Sequence, residues 1–589
     1  MMNEPGPRLP FADELHATKY RGEGESFREA MGRVAHALCD PDSVHPGHYH
    51  EFRDILMDMR FMPGGRIQAA MGSTRQTTPY NCFVSGTLED SFVAGHGSIM
   101  ERAKEAATTM RLGGGIGYDF STLRPRGALI KKLQSRSSGA VSFMRIFDAV
   151  GACVASAGHR RGAQMGVLRV DHPDIEEFIR AKQNTDNLTG FNVSIAVTDE
   201  FMRAVATQSP FMLRWNGDDY GEVDAAELWE SIMRSTWDWA EPGVLFIDAI
   251  NRGNNLWYCE TIAATNPCAE QPLPPYGACL LGSFNLVKYL SRQGMTLVAG
   301  RSELTPGYTF DFDRLVADIP VVVRAMDNVV DRATYPLHEQ EMEARNKRRM
   351  GLGITGLANA AEAQGLVYGS PGFIEFQRRV LETIRDACYA ASAELAREKG
   401  AFRLFDAEKY LAGSFMQSLP EHVRDLIQRN GIRNSHITSI APTGTISLCA
   451  DNVSSGIEPV FSHSFERTVV EFNGTRKELI EDYGVAHLGV RGRVASEVTV
   501  QEHISVLLAC VESVDSAVSK TCNVPENTPW EEFKGLYRQV WEGGGKGCTT
   551  FQTGGKRAGI LVASKSEEPE DLPEKACYID PESGRRECG

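Results

Sequence analysis

Residues 266–277 place the strongest local constraint on how this chain can fold. Four of these twelve residues are proline. A proline ring fixes φ, removes the backbone N–H and biases the preceding residue towards an extended conformation. The segment therefore cannot be a regular helix or a central strand. We predict a stiff loop or turn.

The start of this segment concentrates three kinds of reactive side chain. Asn266, Cys268 and Glu270 present an amide, a thiol and a carboxylate within five residues, and Cys279 follows eleven residues after Cys268. Such a group can position a hydroxylated substrate, transfer a proton and carry out sulfur redox chemistry. The alternative is a proline-rich surface loop with an incidental cysteine, since free cysteines are commonly buried and inert.

The composition limits the class of protein. The 589 residues are 42% hydrophobic and 24% charged, with a net charge of −15, which argues against a general nucleic-acid or membrane-surface binder. We see neither an apolar run that could span a membrane nor a signal-peptide core, and we expect a cytoplasmic protein. The 13 cysteines include no Cys-x-x-Cys pair, so neither a disulfide framework nor a zinc or other metal site is expected.

A second candidate site lies between residues 437 and 447. A short apolar strand, 437–440, leads into a turn that contains proline, glycine and two threonines. Free N–H groups at a helix start, together with hydroxyls, favour an anion. The turn lacks the lysine of a Walker loop, so an ATPase is not expected. A plain N-cap turn is the alternative.

Periodic patterns predict helices in several places. Apolar spacing indicates a small helical region within residues 1–60 and longer amphipathic helices over 315–331 and 374–399. The basic run at 345–349 is interpreted as a solvent-exposed helix face, with phosphate or cofactor contact as the alternative.

Two further motifs do not indicate a site. Residues 112–117 are rich in glycine, but the third glycine of a dinucleotide loop is replaced by Phe120, so we predict a tight backbone turn. His172 has no second metal ligand at a suitable spacing, and we predict a hydrogen-bonded structural histidine.

Together these segments resemble the catalytic subunit of ribonucleotide reductase. The resemblance is carried by residues 266–270, 277–286, 441–447, 520–525 and 546–552. It extends over most of the chain and is closest to the class II, adenosylcobalamin-dependent form.

The resemblance implies a domain organisation. We expect an α/β fold, a ten-stranded α/β barrel over residues 61–558, with residues 266–270 as a finger loop at its centre. The small helical region 1–60 would precede the barrel, and a flexible redox tail, 559–589, would follow it.

The resemblance also implies an activity, that of a ribonucleoside-diphosphate reductase with a thiyl-radical mechanism. Cys268 would become the thiyl radical, Glu270 would act as base on the 3′-OH, and Asn266 would hold the ribose hydroxyls. Cys82 and Cys279 would supply the reducing equivalents and end as a disulfide. Only a closed fold could bring this pair within disulfide range, because the two residues lie about 200 positions apart.

The remaining functional residues follow from the same resemblance. The substrate would be bound by Asn81, Pro442, Thr443, Gly444, Thr445 and Ile446. A deoxynucleoside triphosphate or ATP effector would be bound by Asp90, Ser91, Lys131, Gln183 and Asn192. Effector sites of this kind lie at a subunit interface, so a homodimer is expected.

The source of the radical separates the classes. Class I reductases relay it through two adjacent tyrosines, but residues 549–552 contain none. No class III glycyl-radical motif is found either, so adenosylcobalamin is the expected cofactor. Cys577 and Cys588 would be tail thiols that are reduced by a thioredoxin-type protein. Two alternatives are a class I catalytic subunit with a separate radical-generating subunit and a catalytically inactive nucleotide-binding regulator.

Overall fold

The structure, a computed structural model, describes residues 5–156, 160–161, 163–184, 187–297, 304–471, 474–552, 577–579 and 586–588, the last two segments as backbone only. Helices and strands alternate through most of this length, which confirms the α/β class. None of the described helices is long and apolar enough to cross a membrane.

Helices surround the sheets. In the described parts of the chain they are α1 (Pro10–Tyr20), α2 (Phe27–Leu38), α3 (His48–Met57), α4 (Gly65–Ala70), α5 (Ile99–Arg111), α6 (Ala140–Cys153), α7 (Ile175–Arg180), α8 (Asp199–Thr207), α9 (Ala225–Trp239), α10 (Ile247–Arg252), α11 (Phe312–Arg332), α12 (His338–Lys347), α13 (Leu357–Ala363), α14 (Pro371–Lys399), α15 (Ala407–Ala412), α16 (Ser414–Gln417), α17 (Glu421–Asn430), α18 (Gly444–Cys449), α19 (Val500–Leu508) and α20 (Trp530–Glu542). The two long amphipathic helices predicted from the sequence are confirmed as α11 and α14.

The strands are mostly short. They are β1 (Phe61–Pro63), β2 (Cys82–Val84), β3 (Gly115–Asp119), β4 (Leu129–Ile130), β5 (Ser135–Arg136), β6 (Ala155–Ser156), β7 (Arg160–Arg161), β8 (Gln164–Arg169), β9 (Phe191–Val197), β10 (Pro210–Trp215), β11 (Asp218–Asp224), β12 (Gly243–Phe246), β13 (Ala264–Thr265), β14 (Pro272–Leu273), β15 (Ala278–Cys279), β16 (Leu281–Asn285), β17 (Leu290–Leu297), β18 (Leu304–Phe310), β19 (Gly351–Thr355), β20 (Ser464–Glu471), β21 (Gly474–Glu481), β22 (Thr521–Val524), β23 (Gly547–Gln552), β24 (Cys577–Ile579) and β25 (Arg586–Cys588).

The largest sheet has eight strands in the order β15-β2-β3-β8-β9-β12-β23-β22. The run from β2 to β12 is parallel, whereas β15 and β23 pair antiparallel with β2 and β12. Strands β8, β9 and β12 are buried along almost their whole length, as expected for parallel strands covered on both faces. This sheet positions the residues of the finger loop and the cysteine pair.

A smaller sheet, β1-β16-β19, lies next to it. Single bridges then connect Leu352 to Thr438 and Ile440 to Val518, without a continuous ladder. The sheets assigned in the described residues therefore do not form a closed barrel.

Three helices, α1, α2 and α3, lie before residue 61. A capping box of Ser26 and Glu29 begins α2, which satisfies free N–H groups at the helix start. The apolar face of α2 packs in the same core as α11, and Asn328 in α11 donates a hydrogen bond of 2.8 Å to the carbonyl of Leu38.

The prediction that the basic run is solvent-exposed is wrong for most of it. Arg348 is 4% exposed and its guanidinium pairs with Asp327 and Asp331, each at 2.8 Å. Arg349 and Lys347 pair with Glu260. The run is buried because carboxylates distant in sequence neutralise it.

The prediction for His172 is confirmed. Its Nδ1 accepts a hydrogen bond of 3.0 Å from the backbone N–H of Asp174, and its Nε2 lies 2.9 Å from the carbonyl of Leu123. Both ring nitrogens are used by the backbone, so the ring has a structural role.

Candidate active site

The finger loop, residues 266–271, is closed by its own hydrogen bonds. Strands β13 and β14 pair antiparallel on either side of it. The backbone N–H of Asn266 donates to the carbonyl of Gln271 at 3.1 Å, and the N–H of Gln271 donates to Asn266 Oδ1 at 3.0 Å. Ala269 adopts a positive φ of 64°, which sets the turn. The predicted stiff loop is confirmed.

The loop is buried, so the alternative of a proline-rich surface loop is wrong. Asn266 is 0% exposed, and Cys268 and Glu270 are each 2% exposed. A Cβ atom on Gly117 in β3 would lie 1.9 Å from the carbonyl oxygen of Thr265, and one on Gly115 would lie 3.2 Å from Pro267. The loop therefore crosses the sheet so closely that only glycine fits beneath it.

The glycine-rich segment thus has a role that the sequence did not reveal. Residues up to Gly114 form a tight turn, as predicted, but Gly115 and Gly117 already belong to β3. The missed signal is the alternation Gly-x-Gly in an apolar stretch, since glycine inside a strand marks a close approach of another backbone.

Cys82 and Cys279 are directly opposed residues of the antiparallel pair β2 and β15. The Cα atoms of such residues are about 4.5–5.5 Å apart, inside the range that allows a disulfide. Both are free thiols. Burial raises the pKa of Cys279 well above its ordinary value, and the neighbouring Glu270 and Cys82 add to the effect. Cys279 is therefore a protonated thiol that faces the finger loop.

Cys268 lines a small cleft that opens to solvent. The opposite walls come from the beginnings of β12 and β23 and from residues 517–520. Among the cysteines with described side chains, ten are free thiols and Cys268 is disulfide-bonded. Radical chemistry at Cys268 therefore requires reduction of this bond first.

The turn at 442–446 is held by a cluster of hydroxyl groups. Thr443 has a positive φ of 54°, and its Oγ1 lies 2.9 Å from Ser447 Oγ and accepts from the N–H of Gly456 at 2.8 Å. Thr355 Oγ1 lies 2.7 Å from Ser447 Oγ. Helix α18 begins at Gly444, so Pro442, Gly444, Thr445 and Ile446 surround the helix start as predicted. The hydroxyl of Thr443, however, is used to hold the turn.

The turn and the finger loop are tied to each other. Ser439 Oγ donates to the carbonyl of Glu270 at 2.9 Å, and the backbone N–H of Ala517 donates to the same oxygen at 3.0 Å. The strand that leads to the turn therefore fixes the position of Glu270. Ser439 and Ala517 were not predicted from the sequence, because only the tertiary structure brings them to Glu270.

Comparison with known proteins assigns the family. The model of the ribonucleotide reductase barrel domain matches residues 80–551. A vitamin B12-dependent ribonucleoside-diphosphate reductase of Mycobacterium tuberculosis (strain CDC 1551 / Oshkosh) is 34% identical over 580 residues, which cover 92% of this chain and 78% of that protein. The chain belongs to the ribonucleotide reductase family.

Other relatives agree with this assignment. A vitamin B12-dependent ribonucleoside-diphosphate reductase of Thermoplasma acidophilum is 31% identical over 91% of this chain and 70% of that protein. A vitamin B12-dependent ribonucleotide reductase of Streptomyces clavuligerus is 27% identical over 89% of this chain and 61% of that protein.

The residues expected to bind an effector in this reductase do not form one group. Asp90 pairs with Arg124, whose Nε donates to Asp90 Oδ2 at 2.8 Å. Arg124 also donates to the carbonyl of Leu129 at 3.2 Å, which ties the Asp90 loop, with Ser91, to the hairpin that carries Lys131. Asn192 instead donates to the carbonyl of Pro267 at 3.0 Å.

Asn192 therefore contacts the finger loop directly. Gln183 lies just after α7, on the approach to residues 185–186, which are outside the described residues. The segment that contains both residues runs from α7 to the active site. Asn81 lies beside the cysteine pair, because its N–H donates to the carbonyl of Cys279 at 3.3 Å.

The tail cysteines are opposed in a hairpin. Cys577 and Cys588 are Cα partners of the antiparallel pair β24 and β25, although they are eleven residues apart in sequence. Strand β25 lies against α18, which begins at the turn at 442–446. The side chains of both cysteines are outside the described residues.

Proposed function

We infer that this chain is a ribonucleoside-diphosphate reductase that depends on adenosylcobalamin and works by a thiyl-radical mechanism. One observation carries the inference. A buried, hydrogen-bonded loop presents Asn266, Cys268 and Glu270 beside the directly opposed thiols Cys82 and Cys279. The names of the relatives support the diphosphate substrate and the cofactor.

Each residue has a defined role in this proposal. The Cys268 thiyl radical takes the 3′ hydrogen atom of the ribose, and Glu270 accepts the proton of the 3′-OH. Asn266 holds the ribose hydroxyls. One thiol of the pair Cys82 and Cys279 protonates the departing 2′-OH. In the overall reaction the ribonucleotide and two thiols give the deoxyribonucleotide, a Cys82–Cys279 disulfide and water.

We propose that adenosylcobalamin would bind over the cleft that Cys268 lines. Two glycines, Gly243 and Gly547, line the cleft with backbone alone. A Cβ atom on Gly243 would lie 2.9 Å from Ser194 Oγ, and a Cβ atom on Gly547 would lie 2.8 Å from the carbonyl oxygen of Val244. When bound, adenosylcobalamin supplies the radical that is passed to Cys268.

A class I mechanism is not favoured. Residues 549–552 lie in β23. The hydroxyl oxygens of Thr550 and of Tyr537 in α20 are hydrogen-bonded at 3.0 Å, and Phe551 is buried. Phenylalanine has no phenolic proton, so a relay through a tyrosine pair in this strand cannot operate.

We propose that this chain also binds an effector and forms a homodimer. Phe92, Val93, Leu129 and Leu133 are 53%, 70%, 52% and 72% exposed, all close to Asp90 or Lys131 in sequence. Exposed apolar side chains in one region are typical of an interaction surface. A homodimer that buries them would complete a site for a deoxynucleoside triphosphate or ATP beside Asp90, Ser91 and Lys131. Gln183 and Asn192 would transmit its occupancy to the finger loop.

The tail hairpin supports a redox role for Cys577 and Cys588. Their cross-strand pairing and the contact of β25 with α18 support exchange of disulfides between the tail and the active site. A thioredoxin-type protein would then reduce the tail. The number of free thiols fits a reducing compartment, and we propose the cytoplasm.

We also propose that the sheets belong to one ten-stranded barrel over residues 61–558. The bridges from Leu352 to Thr438 and from Ile440 to Val518 make residues 437–440 the missing strand between β19 and β22. Strands β15 and β16 are almost continuous in sequence, and β15 pairs with β2. The two sheets would therefore join there and close the ring of strands. The helical region 1–60 and the tail 559–589 would flank this domain.

The purified chain should make deoxycytidine diphosphate from cytidine diphosphate only when adenosylcobalamin and dithiothreitol are both present. The thiol is needed because each turnover oxidises Cys82 and Cys279 to a disulfide, which must be reduced before the next turnover. Cys268→Ser should lower the rate by at least about 10³-fold, whereas Cys39→Ser, a half-buried cysteine far from the loop, should retain it. Product without cofactor, or only with an added protein subunit, would overturn the proposal.

A further inference from the structure

A half-buried lysine lies beside the candidate active site and has no role in the mechanism above. Lys546 directly precedes β23, and its Nζ donates to the carbonyls of Asp515, at 2.6 Å, and Ser516. Its backbone carbonyl accepts from the N–H of Phe246 at 3.0 Å. It also lines the cavity that contains Cys268. Both the backbone and the ammonium group of Lys546 are therefore held in place, close to Cys268.

The two carbonyls belong to residues 515–519, which we call the clamp segment. On one side, the N–H of Ala517 donates to the carbonyl of Glu270 at 3.0 Å. On the other side, the N–H of Ser516 donates to Thr438 at 3.1 Å and the N–H of Ser519 donates to Ile440 at 2.8 Å. The clamp segment thus joins the finger loop to the strand that leads to the phosphate turn.

The carboxylate of Asp515 strengthens the same connection. It accepts from the N–H of Ile437 at 2.6 Å and of Thr438 at 3.1 Å, and from the hydroxyl of Tyr389 at 2.6 Å. The charge of Lys546 is favourable beside this buried carboxylate. The titratable groups that face Lys546 in the described structure are Asp515, His436 and, around the cavity, Cys548 and Lys520.

We propose that Lys546 is a positioning residue, whose charged ammonium holds the clamp segment and thereby keeps Glu270 aligned with the substrate. This inference rests on the role of Glu270 in the proposed function. Charge-assisted hydrogen bonds are about twice as strong as neutral ones. Loss of the charge therefore loosens the clamp segment without removing a group that touches the substrate.

The charge of Lys546 depends on pH near neutrality. Burial lowers the pKa of Lys546 from 10.5 to about 8. Because the unfolded chain binds this proton more tightly, the contribution of Lys546 to stability rises between pH 8 and 10.5. The ability of Lys546 to hold the clamp segment, and with it Glu270, should instead decline over the same pH range, because the ammonium group loses its charge. A fall in turnover without a fall in stability separates the two effects.

The test compares wild type, Lys546→Met, Lys546→Arg and Lys520→Met from pH 6.5 to 9.5, with saturating cofactor and dithiothreitol. Wild-type kcat should fall by about 3- to 10-fold as pH rises through 8. Lys546→Met should lower kcat at pH 7 by about 10- to 100-fold, change KM by less than about 3-fold, and abolish the alkaline decline. Lys546→Arg, which stays charged, should move that decline to higher pH.

Lys520→Met is the matched control, because Lys520 lines the same cavity but pairs with Glu458. It should keep the alkaline decline. The proposal is overturned if Lys546→Met retains the wild-type kcat and pH profile, or if Lys546→Arg leaves the position of the decline unchanged.

Amide hydrogen exchange tests the structural step without activity. At pH 7, Lys546→Met should accelerate exchange in peptides that cover residues 266–271 and 515–519, but not in α14. Unchanged exchange would overturn the positioning role even if turnover fell. If wild type lacks cofactor-dependent turnover at every pH, the proposed function fails, and the exchange result still decides whether Lys546 holds the clamp segment.

Discussion

The candidate active site and the proposed effector face, residues 90–93 and 129–133, are built in opposite ways. In the candidate active site, Asn266 and Cys279 are 0% exposed and the finger loop is closed by hydrogen bonds within the chain. On the effector face, Val93 and Leu133 are 70% and 72% exposed, and the pair of Asp90 and Arg124 is the main link between the two loops. The first region is complete in one chain, whereas the second has a surface that a partner or ligand would cover.

This difference predicts how the two regions respond to substitution. Changes in the active site should affect turnover strongly and should not be rescued by ligands. Changes on the effector face should affect regulation and leave the chemical step nearly intact.

The largest effect is expected at Cys279. Cys279→Ser removes one thiol of the reducing pair, so turnover with dithiothreitol should fall by about 10³-fold. The readout is deoxycytidine diphosphate formed per chain. Cys388→Ser provides a matched control, since Cys388 is also a fully buried free cysteine but lies in α14. Cys388→Ser should lower the melting temperature and keep the rate. Equal losses of turnover in Cys279→Ser and Cys388→Ser would show that Cys279 has no special role.

A smaller but still large effect is expected at Gly117. In Gly117→Ala the new Cβ atom would meet the carbonyl oxygen of Thr265 at 1.9 Å, so the finger loop must shift. A displacement of about 1 Å can reduce turnover by about 100-fold. Gly535→Ala, in the middle of α20 with open space around it, should instead raise the melting temperature slightly and keep the rate. Normal turnover of Gly117→Ala would show that the loop tolerates displacement.

The smallest effect is expected on the effector face. Arg124→Ala breaks the pair with Asp90 and the bond to Leu129, so the apparent Kd of the effector should rise by about 5- to 10-fold. Effector binding by calorimetry and the effector-free rate are measured together. Arg538→Ala removes an exposed pair with Glu542 in α20 and should change neither. A loss of effector-free turnover in Arg124→Ala would contradict the separation of the two regions.

The sequence allowed prediction of those features that local chemistry decides. The proline content of residues 266–277 determines the stiff loop, and apolar spacing determines α11 and α14. The pairing of Cys82 with Cys279 came only from the resemblance, because no local pattern connects strands about 200 residues apart.

Long-range contacts explain the features that were missed. The basic residues Arg348 and Arg349 were misread because Asp327 and Glu260 reach them only in the folded chain. Asn192 was expected at the effector site, but its contact with Pro267 depends on how β9 passes the finger loop. Gly117 has a steric role that depends on the crossing of a segment far away in sequence.

The central claim is that the opposed thiols Cys82 and Cys279 reduce the substrate. The direct test uses the fully reduced Cys577→Ser/Cys588→Ser variant, whose tail cannot re-reduce the active site, freed of external thiol, with cytidine diphosphate and adenosylcobalamin, and follows product and disulfides by quenched mass spectrometry. The account predicts that the Cys82–Cys279 disulfide appears in step with deoxycytidine diphosphate, and that Cys279→Ser gives neither. Product formed while both thiols remain reduced would contradict it.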